Sequence, residues 1–168
     1  MQIKLFVNGK PCEVTVEPRT LLVDLLRQLG FLSVHQGCDE GRCGACTVFM
    51  DGGAVKSCML FGVQADGSSI LTADGLATDK GFHPLQTAFS ECLAVQCGYC
   101  TPGLLMTSYD LIRKSTDLDE AVVRKAISGN ICRCTGYSSI VEAILRASAS
   151  GGKKLTNPGR KALTEASP

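Results

Sequence analysis

Ten cysteines in a chain of 168 residues constrain this fold more than any other feature of the sequence. Eight of them fall into two groups. The first set comprises Cys38, Cys43, Cys46 and Cys58, and the second set comprises Cys97, Cys100, Cys132 and Cys134. The N-terminal stretch lacks the basic start and apolar block of a secretory signal, so metal binding is favoured over a disulfide framework.

The composition argues against several classes of function. Seventeen Lys and Arg residues against 16 Asp and Glu residues give a net charge of +1, which offers no electrostatic footprint for nucleic acid or an anionic membrane. No apolar run approaches the roughly 18 residues that a transmembrane helix needs. We find no residue pattern for nucleophilic, acid–base or phosphate-binding chemistry, so the sequence predicts no catalytic residue in this chain.

The first set has the spacing C-x4-C-x2-C with a distant fourth cysteine, which is typical of plant-type [2Fe–2S] proteins. Asp51-Gly52-Gly53 predicts a turn between strands at 47–50 and 54–56. The midpoint between Cys46 and Cys58 falls in this turn, so antiparallel pairing is expected to set the two cysteines side by side. A zinc site is compatible with four cysteines but fits this triplet spacing less well.

The second set consists of two close pairs of cysteines, C-x2-C and C-x-C. Thr101-Pro102 predicts a helix start directly after Cys100, and Ser139 predicts another start soon after Cys134. Unpaired N–H groups and the dipole at a helix N-terminus favour negative charge, which suits an anionic four-thiolate cluster. Spacing alone leaves zinc and iron about equally open for this set.

The hydrophobic pattern divides the chain into a mixed half and a helical half. Strand patterns and one leucine-rich helix capped by Thr20 predict an N-terminal domain over residues 1–76. A second, all-α domain is predicted over residues 84–150, and residues 151–168 are expected to form a C-terminal tail. The four helices of the second domain are expected to begin near Pro84, Thr101, Asp117 and Ser139, with Asp117 and Ser139 as capping residues.

Three motifs, in the correct order, resemble the two cluster signatures of the xanthine oxidase family of molybdenum hydroxylases. Residues 37–48 (GCDEGRCGACTV) are similar to the N-terminal signature of that family. Residues 96–103 (QCGYCTPG) and 129–137 (GNICRCTGY) are similar to the second signature. The resemblance covers roughly residues 2–147 and is to the small iron–sulfur subunit of the bacterial three-subunit enzymes.

The resemblance implies an α+β fold in which a β-grasp, ferredoxin-like domain precedes a four-helix bundle. It implies one [2Fe–2S] cluster in each domain, with the thiols of the first and second sets as ligands, and it removes zinc as an expectation for the second set. By motif position, Gln96 matches a glutamine that hydrogen-bonds a pterin. Cys134 matches a cysteine that both ligates iron and touches the pterin.

The resemblance further implies a non-catalytic electron-relay subunit that is not active alone. In the family, a large subunit carries a molybdenum–pyranopterin, often as the cytosine dinucleotide in bacteria, and a medium subunit carries FAD. Electrons pass from molybdenum through the second-set cluster and the first-set cluster to FAD. The expected assembly is a cytoplasmic dimer of heterotrimers.

Two other functions are compatible with the residues. An independent two-cluster electron carrier is disfavoured, because such carriers usually dock through a strongly charged face and this chain is nearly neutral. A zinc-stabilised interaction adaptor would have no redox role. A colourless purified protein would favour the adaptor, and a red-brown one would exclude it.

Overall fold

The computed structural model describes residues 1–79, 81–115 and 117–150. Over these ranges the chain is an α+β structure with one five-stranded mixed sheet and five α-helices. The strands are β1 Gln2–Val7, β2 Lys10–Thr15, β3 Thr47–Met50, β4 Gly53–Lys56 and β5 Ser69–Leu71. The helices are α1 Leu22–Gln28, α2 Pro84–Glu91, α3 Thr101–Lys114, α4 Glu120–Ala126 and α5 Ser138–Ala149. The predicted C-terminal tail lies outside the described residues.

The sheet joins two hairpins through a short central strand, in the order β2-β1-β5-β3-β4. The β1–β2 hairpin turns at Asn8-Gly9, where both residues have positive φ as a two-residue hairpin turn of this type requires. β3 and β4 form the second hairpin. β5 pairs parallel to β1 and antiparallel to β3, and thereby makes one sheet of the two hairpins.

Both faces of the sheet are covered. Consecutive residues of a strand point to opposite faces, and Val48 and Ile70 accordingly pack with α1 in one core. Phe49 and Leu71 point the other way and join the core of the C-terminal helices. α3 packs directly against β3 and β4. The sheet therefore lies between α1 and the helical half of the chain.

The four C-terminal helices pack on one another through α2–α3, α2–α5, α3–α4 and α4–α5 contacts. Their shared core includes the fully buried side chains of Leu85, Leu104, Ile140 and Ile144. Apolar burial of this kind is the main source of stability for short helices, which are marginal on their own. In the part of the chain that the structure describes, no helix is both long and apolar enough to cross a membrane.

Two predicted helix caps are wrong. Thr20 does not cap α1, because its carbonyl accepts a hydrogen bond from the backbone N–H of Gly62 and the chain enters the helix from a short β-bridge. At α4 the capping side chain belongs to Asp119 and not to Asp117. The Asp119 carboxylate accepts a hydrogen bond of 2.7 Å from the N–H of Val122.

The other helix starts agree more closely with the sequence. Pro84 and Thr101 begin α2 and α3 as predicted. α5 begins at Ser138, one residue before the predicted cap Ser139. The reason is that Tyr137 adopts a left-handed conformation, with φ of 70°, and this residue turns the preceding loop into the helix.

Candidate metal centres

The β3–β4 hairpin brings Cys46 and Cys58 of the first set together. Cys46 directly precedes β3, and Cys58 lies in the 3-10 helical turn Ser57–Met59 that follows β4. The strand register sets Cys46 opposite Ser57, one residue away from the predicted pairing. The Ser57 hydroxyl donates a hydrogen bond of 2.8 Å to the Cys46 carbonyl, and the Cys46 and Cys58 side chains interact at the end of the hairpin.

The loop before β3 wraps around the other two cysteines of the first set. Asp39, Gly41 and Gly44 have φ between 56° and 74°, a region that glycine adopts readily. This curvature turns backbone N–H groups toward the Cys38 sulfur, which accepts a bond of 3.3 Å from the N–H of Cys43. These N–H groups, chiefly that of Cys43, lower the pKa of the Cys38 thiol to about 7.

Burial makes two other thiols of the first set, those of Cys58 and Cys43, harder to ionise. Burial first, and then the neighbouring Cys46, raise the pKa of Cys58 to about 11. Burial also raises the pKa of Cys43. A thiol of this kind ionises when it binds a metal, because the cation supplies the compensating positive charge.

The second set lies where two loops meet the N-terminus of α3. Cys100 is the N-cap residue of α3, and burial raises the pKa of its thiol to about 12. Cys132 and Cys134 lie in the loop that leads into α5. Cys97 and Cys134 are exposed, whereas Cys100 and Cys132 are buried.

The thiols of both sets meet in pairs. Among residues 1–79, 81–115 and 117–150, no three His, Cys, Asp or Glu side chains are arranged to hold a single metal ion. Electrostatic interactions link the two pairs within each set. Each set fits a binuclear cluster, in which each iron takes two thiolates. The directly interacting pairs are Cys38–Cys43, Cys46–Cys58, Cys97–Cys134 and Cys100–Cys132.

A ring of hydrogen bonds surrounds Cys132. Its sulfur lies 3.1 Å from the Thr135 hydroxyl oxygen, which in turn accepts a bond of 3.2 Å from the N–H of Tyr137. The Tyr137 hydroxyl accepts from the Cys132 N–H at 2.8 Å and donates to the Asn130 carbonyl at 3.1 Å. Burial acts to raise the pKa of Cys132, but hydrogen bonds from the hydroxyl and N–H of Thr135, together with those from Cys134 and Cys100, outweigh it and lower that pKa.

Thr135 and Tyr137 were not predicted from the sequence, although both lie in the motif at residues 129–137. A local signal was present, since Thr side chains in glycine-containing turns commonly hydrogen-bond groups two or three residues away. Asn130 was also missed, and its partners are distant in sequence.

Two hydrogen bonds join the loops of the two sets. The N–H of Ile131 donates to the Cys43 carbonyl at 2.8 Å. The buried Asn130 side chain donates through Nδ2 to the Gly44 carbonyl at 3.0 Å. The Thr107 hydroxyl donates to Asn130 Oδ1 at 2.9 Å and so fixes the amide from α3. The two sets are therefore held side by side.

Tyr99, between the cysteines of the C-x2-C pair, makes a second link between the sets. Its hydroxyl donates to the Gln36 carbonyl at 2.6 Å. Its own carbonyl accepts a bond of 2.7 Å from Nδ1 of His35, whose ring stacks on the Tyr99 ring with centroids 4.6 Å apart. His35, a lone histidine near the first set, thus contacts the loop of the second set.

Gln96 and the outer cysteines lie on an exposed surface. Gln96 is exposed and directly precedes the exposed Cys97. Several apolar side chains near the second set in sequence are also exposed. Exposed apolar side chains in such a group are typical of a protein contact. They are Leu93 at 76%, Val95 at 43%, Tyr99 at 48% and Ile131 at 57% of their full accessibility.

Comparisons with known proteins agree with this geometry. Residues 5–78 match the family described as "2Fe-2S iron-sulfur cluster binding domain", and residues 72–145 match the family described as "[2Fe-2S] binding domain". The chain is 50% identical over 143 residues to the 6-hydroxypseudooxynicotine dehydrogenase complex subunit beta of Paenarthrobacter nicotinovorans, with 84% of this chain and 89% of that protein covered. The chain belongs to the iron–sulfur small subunits of the xanthine oxidase family.

Other members of this family are similar over comparable lengths. The xanthine dehydrogenase iron-sulfur-binding subunit of Escherichia coli O157:H7 is 43% identical over 145 residues, which cover 85% of this chain and 91% of that protein. The crystal structure of quinoline 2-oxidoreductase from Pseudomonas putida 86 superposes with a TM-score of 0.89 at 40% identity, over 92% of this chain and 97% of the matched chain. The recognition made from the three cysteine motifs is therefore confirmed.

Proposed function

We propose that this small subunit is the electron-relay component of a molybdenum hydroxylase or dehydrogenase and carries no catalytic residue of its own. The observation that carries the proposal is the arrangement of eight thiols as two adjacent sets, each made of two interacting pairs. Relatives named as subunits of dehydrogenases and of a hydroxylase support it.

Each set of thiols is assigned one [2Fe–2S] cluster, with one thiol pair on each iron. When bound, each cluster accepts and releases one electron. The first set belongs to a β-grasp domain over residues 1–76 and the second set to a four-helix bundle over residues 84–150. The chain supplies the thiolates and the N–H donors that face them, and it keeps water from the buried pairs Cys46–Cys58 and Cys100–Cys132.

Electrons enter this subunit at the exposed side of the second set. Gln96 and Cys134 are both exposed and are therefore accessible to a cofactor held by another chain. The Gln96 amide both donates and accepts hydrogen bonds, as the edge of a pterin requires. The exposed apolar side chains near these residues supply the surface that a permanent partner would bury.

We assign the partners from the same reasoning. A large subunit binds the molybdenum–pyranopterin, as its cytosine dinucleotide, against the Gln96 side of the second set. A medium subunit binds FAD near the loop between Gly41 and Gly44, which holds Cys43 of the less buried thiol pair Cys38–Cys43. The assembly is a dimer of heterotrimers, and its compartment is the cytoplasm, where free thiols stay reduced.

Native purification of the tagged chain from its own host tests this function. We expect two further polypeptides to co-elute in equal amounts, together with molybdenum, a pterin and FAD. Recovery of the chain alone, red-brown but without molybdenum or flavin, would contradict the subunit role and indicate an independent carrier.

A further inference from the structure

We propose that Thr135 sets the reduction potential of the second-set cluster by donating its hydroxyl hydrogen bond to the Cys132 sulfur. This inference rests on the proposed function, in which Cys132 is an iron ligand. It concerns a side chain that is not a ligand and that neither the cysteine spacing nor the motif resemblance singles out.

The direction of the hydrogen bond follows from its surroundings. Thr135 Oγ1 and Cys132 Sγ are 3.1 Å apart, and either atom of a free thiol and hydroxyl pair could donate. A metal-bound thiolate has no hydrogen, so the hydroxyl must be the donor once iron is bound. The N–H of Tyr137 already donates to Thr135 Oγ1 at 3.2 Å, which leaves the hydroxyl hydrogen free to point at the sulfur.

The donor is held firmly in place. The Tyr137 hydroxyl accepts a hydrogen bond from the Cys132 N–H and donates one to the Asn130 carbonyl, so it ties two points of the loop together. The left-handed backbone of Tyr137 turns its own N–H back toward Thr135. Cys132 is only 9% exposed. A hydrogen bond to charge is stronger where water is largely excluded, so a single hydroxyl has a large effect here.

The effect on the cluster follows from charge. Reduction adds one electron and no proton to the second-set cluster, and no bond is made or broken. The added negative charge is shared with the ligand sulfurs, so a hydrogen bond to Cys132 stabilises the reduced state more than the oxidised state. Thr135 therefore raises the potential and favours transfer of an electron into this subunit.

This hydrogen bond comes from a side chain and can be removed without changing the backbone donors. The N–H donors to the thiols of the first set, such as that of Cys43 to Cys38, belong to the backbone and are kept in every substitution except one to proline. Thr135→Val removes the hydroxyl with almost no change of shape, and with it the acceptor of the Tyr137 N–H. Thr135→Ser keeps the hydroxyl and is the matched control.

The test is a redox titration of the purified complex, followed by electron paramagnetic resonance. The second-set signal is identified as the one that survives in a Cys43→Ser variant. In Thr135→Val we expect the equilibrium for one-electron reduction of this cluster to weaken about tenfold, a fall in potential of about 59 mV. The Thr135→Ser variant should stay within twofold of the unmodified complex, and the first-set signal should not move in either variant.

Any of three results would overturn the inference. The reduction equilibrium of the second-set cluster could change by less than twofold in Thr135→Val. The signals of both clusters could shift equally in Thr135→Val, or Thr135→Ser could shift the second-set signal as much as Thr135→Val does. Should Thr135→Val lose the second-set cluster, Thr135→Ala removes the hydroxyl with less bulk and must show the same tenfold weakening. An unmodified complex without two cluster signals would refute the proposed function itself, which separates the two failures.

Discussion

Each sulfur of the two sets has a distinct chemical environment. The N–H of Cys43 and its neighbours lower the pKa of Cys38 to about 7, whereas burial raises that of Cys58 to about 11 and that of Cys100 to about 12. The Cys38 thiol therefore ionises more readily than the thiols of Cys58 and Cys100. Cys58 and Cys100 keep their protons until a cation takes the place of the missing solvent.

Replacing Cys43 by serine tests the assignment of the first set at this scale. We expect Cys43→Ser to lose the first-set cluster, because a serine hydroxyl is a much weaker iron ligand than a thiolate. The iron content should fall from about four to about two per chain, and one of two reduced resonance signals should disappear. Iron analysis and electron paramagnetic resonance on the purified complex provide the measurement.

Cys12→Ser is the matched control for this substitution. Cys12 lies on β2, half-buried against the edge of the N-terminal core, and its thiol makes a weak hydrogen bond of 3.8 Å to the Lys10 carbonyl. This variant should keep both signals and the full iron content. A Cys43→Ser protein that retained four irons would refute the assignment of Cys43 as a ligand.

The sequence grouped the eight thiols, which the structure brings together in pairs, but it did not predict their hydrogen-bond partners. Cysteine spacing is a direct signature of cluster geometry, so all eight thiols could be assigned to sets. Asn130 gave no such signature, because its role depends on α3 and the first-set loop meeting the same amide. Contacts of this kind exist only once the chain is folded.

At the scale of elements, the close approach of α3 to the first-set loop decides how near the two sets lie. Gly103, in the first turn of α3, packs on the backbone of Gly44 and Ala45. A Cβ atom at Gly103 would come within 2.1 Å of the Gly44 carbonyl oxygen. Only glycine allows this contact without moving a backbone.

We therefore expect Gly103→Ala to destabilise the protein. Helix propensity alone would favour alanine by about 1 kcal/mol. The clash is with backbone atoms that have little room to relax, and overpacking of this kind costs about 1–3 kcal/mol net. Denaturant unfolding of the purified protein measures the change in the free energy of unfolding.

Gly53→Ala controls for the loss of a glycine as such. Gly53 lies in β4, and a Cβ atom there would meet nothing within 4 Å. Its free energy of unfolding should change by no more than about 0.5 kcal/mol. Equal stability of the two variants would show that the close packing of α3 on Gly44 is not a constraint.

Local patterns predicted the elements and missed how they connect. Apolar periodicity located the strands of the second hairpin, β3 and β4, and the four C-terminal helices, because it reports which face each element buries. The parallel pairing of β5 with β1 has no local signature. The cap at Thr20 was wrong for the same reason, since a bridge from Leu21 to the distant Phe61 sets the start of α1. The cap at Asp117 was wrong for a local reason, since the nearby Asp119 caps α4 instead.

At the scale of the whole molecule, one sheet separates two hydrophobic cores, and the two thiol sets lie where the halves meet. The hydrogen bonds from Ile131 and Asn130 to the first-set loop cross this boundary. The two family matches, over residues 5–78 and 72–145, meet in the short overlap of residues 72–78. The fold thus holds the two sets next to each other, as the proposed relay between two partner cofactors requires.

We propose that the eight thiols hold two [2Fe–2S] clusters. The direct test measures iron, acid-labile sulfide and zinc per chain in natively purified protein, with electron paramagnetic resonance after reduction. We expect about four irons and four sulfides per chain and two distinguishable reduced signals. Stoichiometric zinc without sulfide would contradict it.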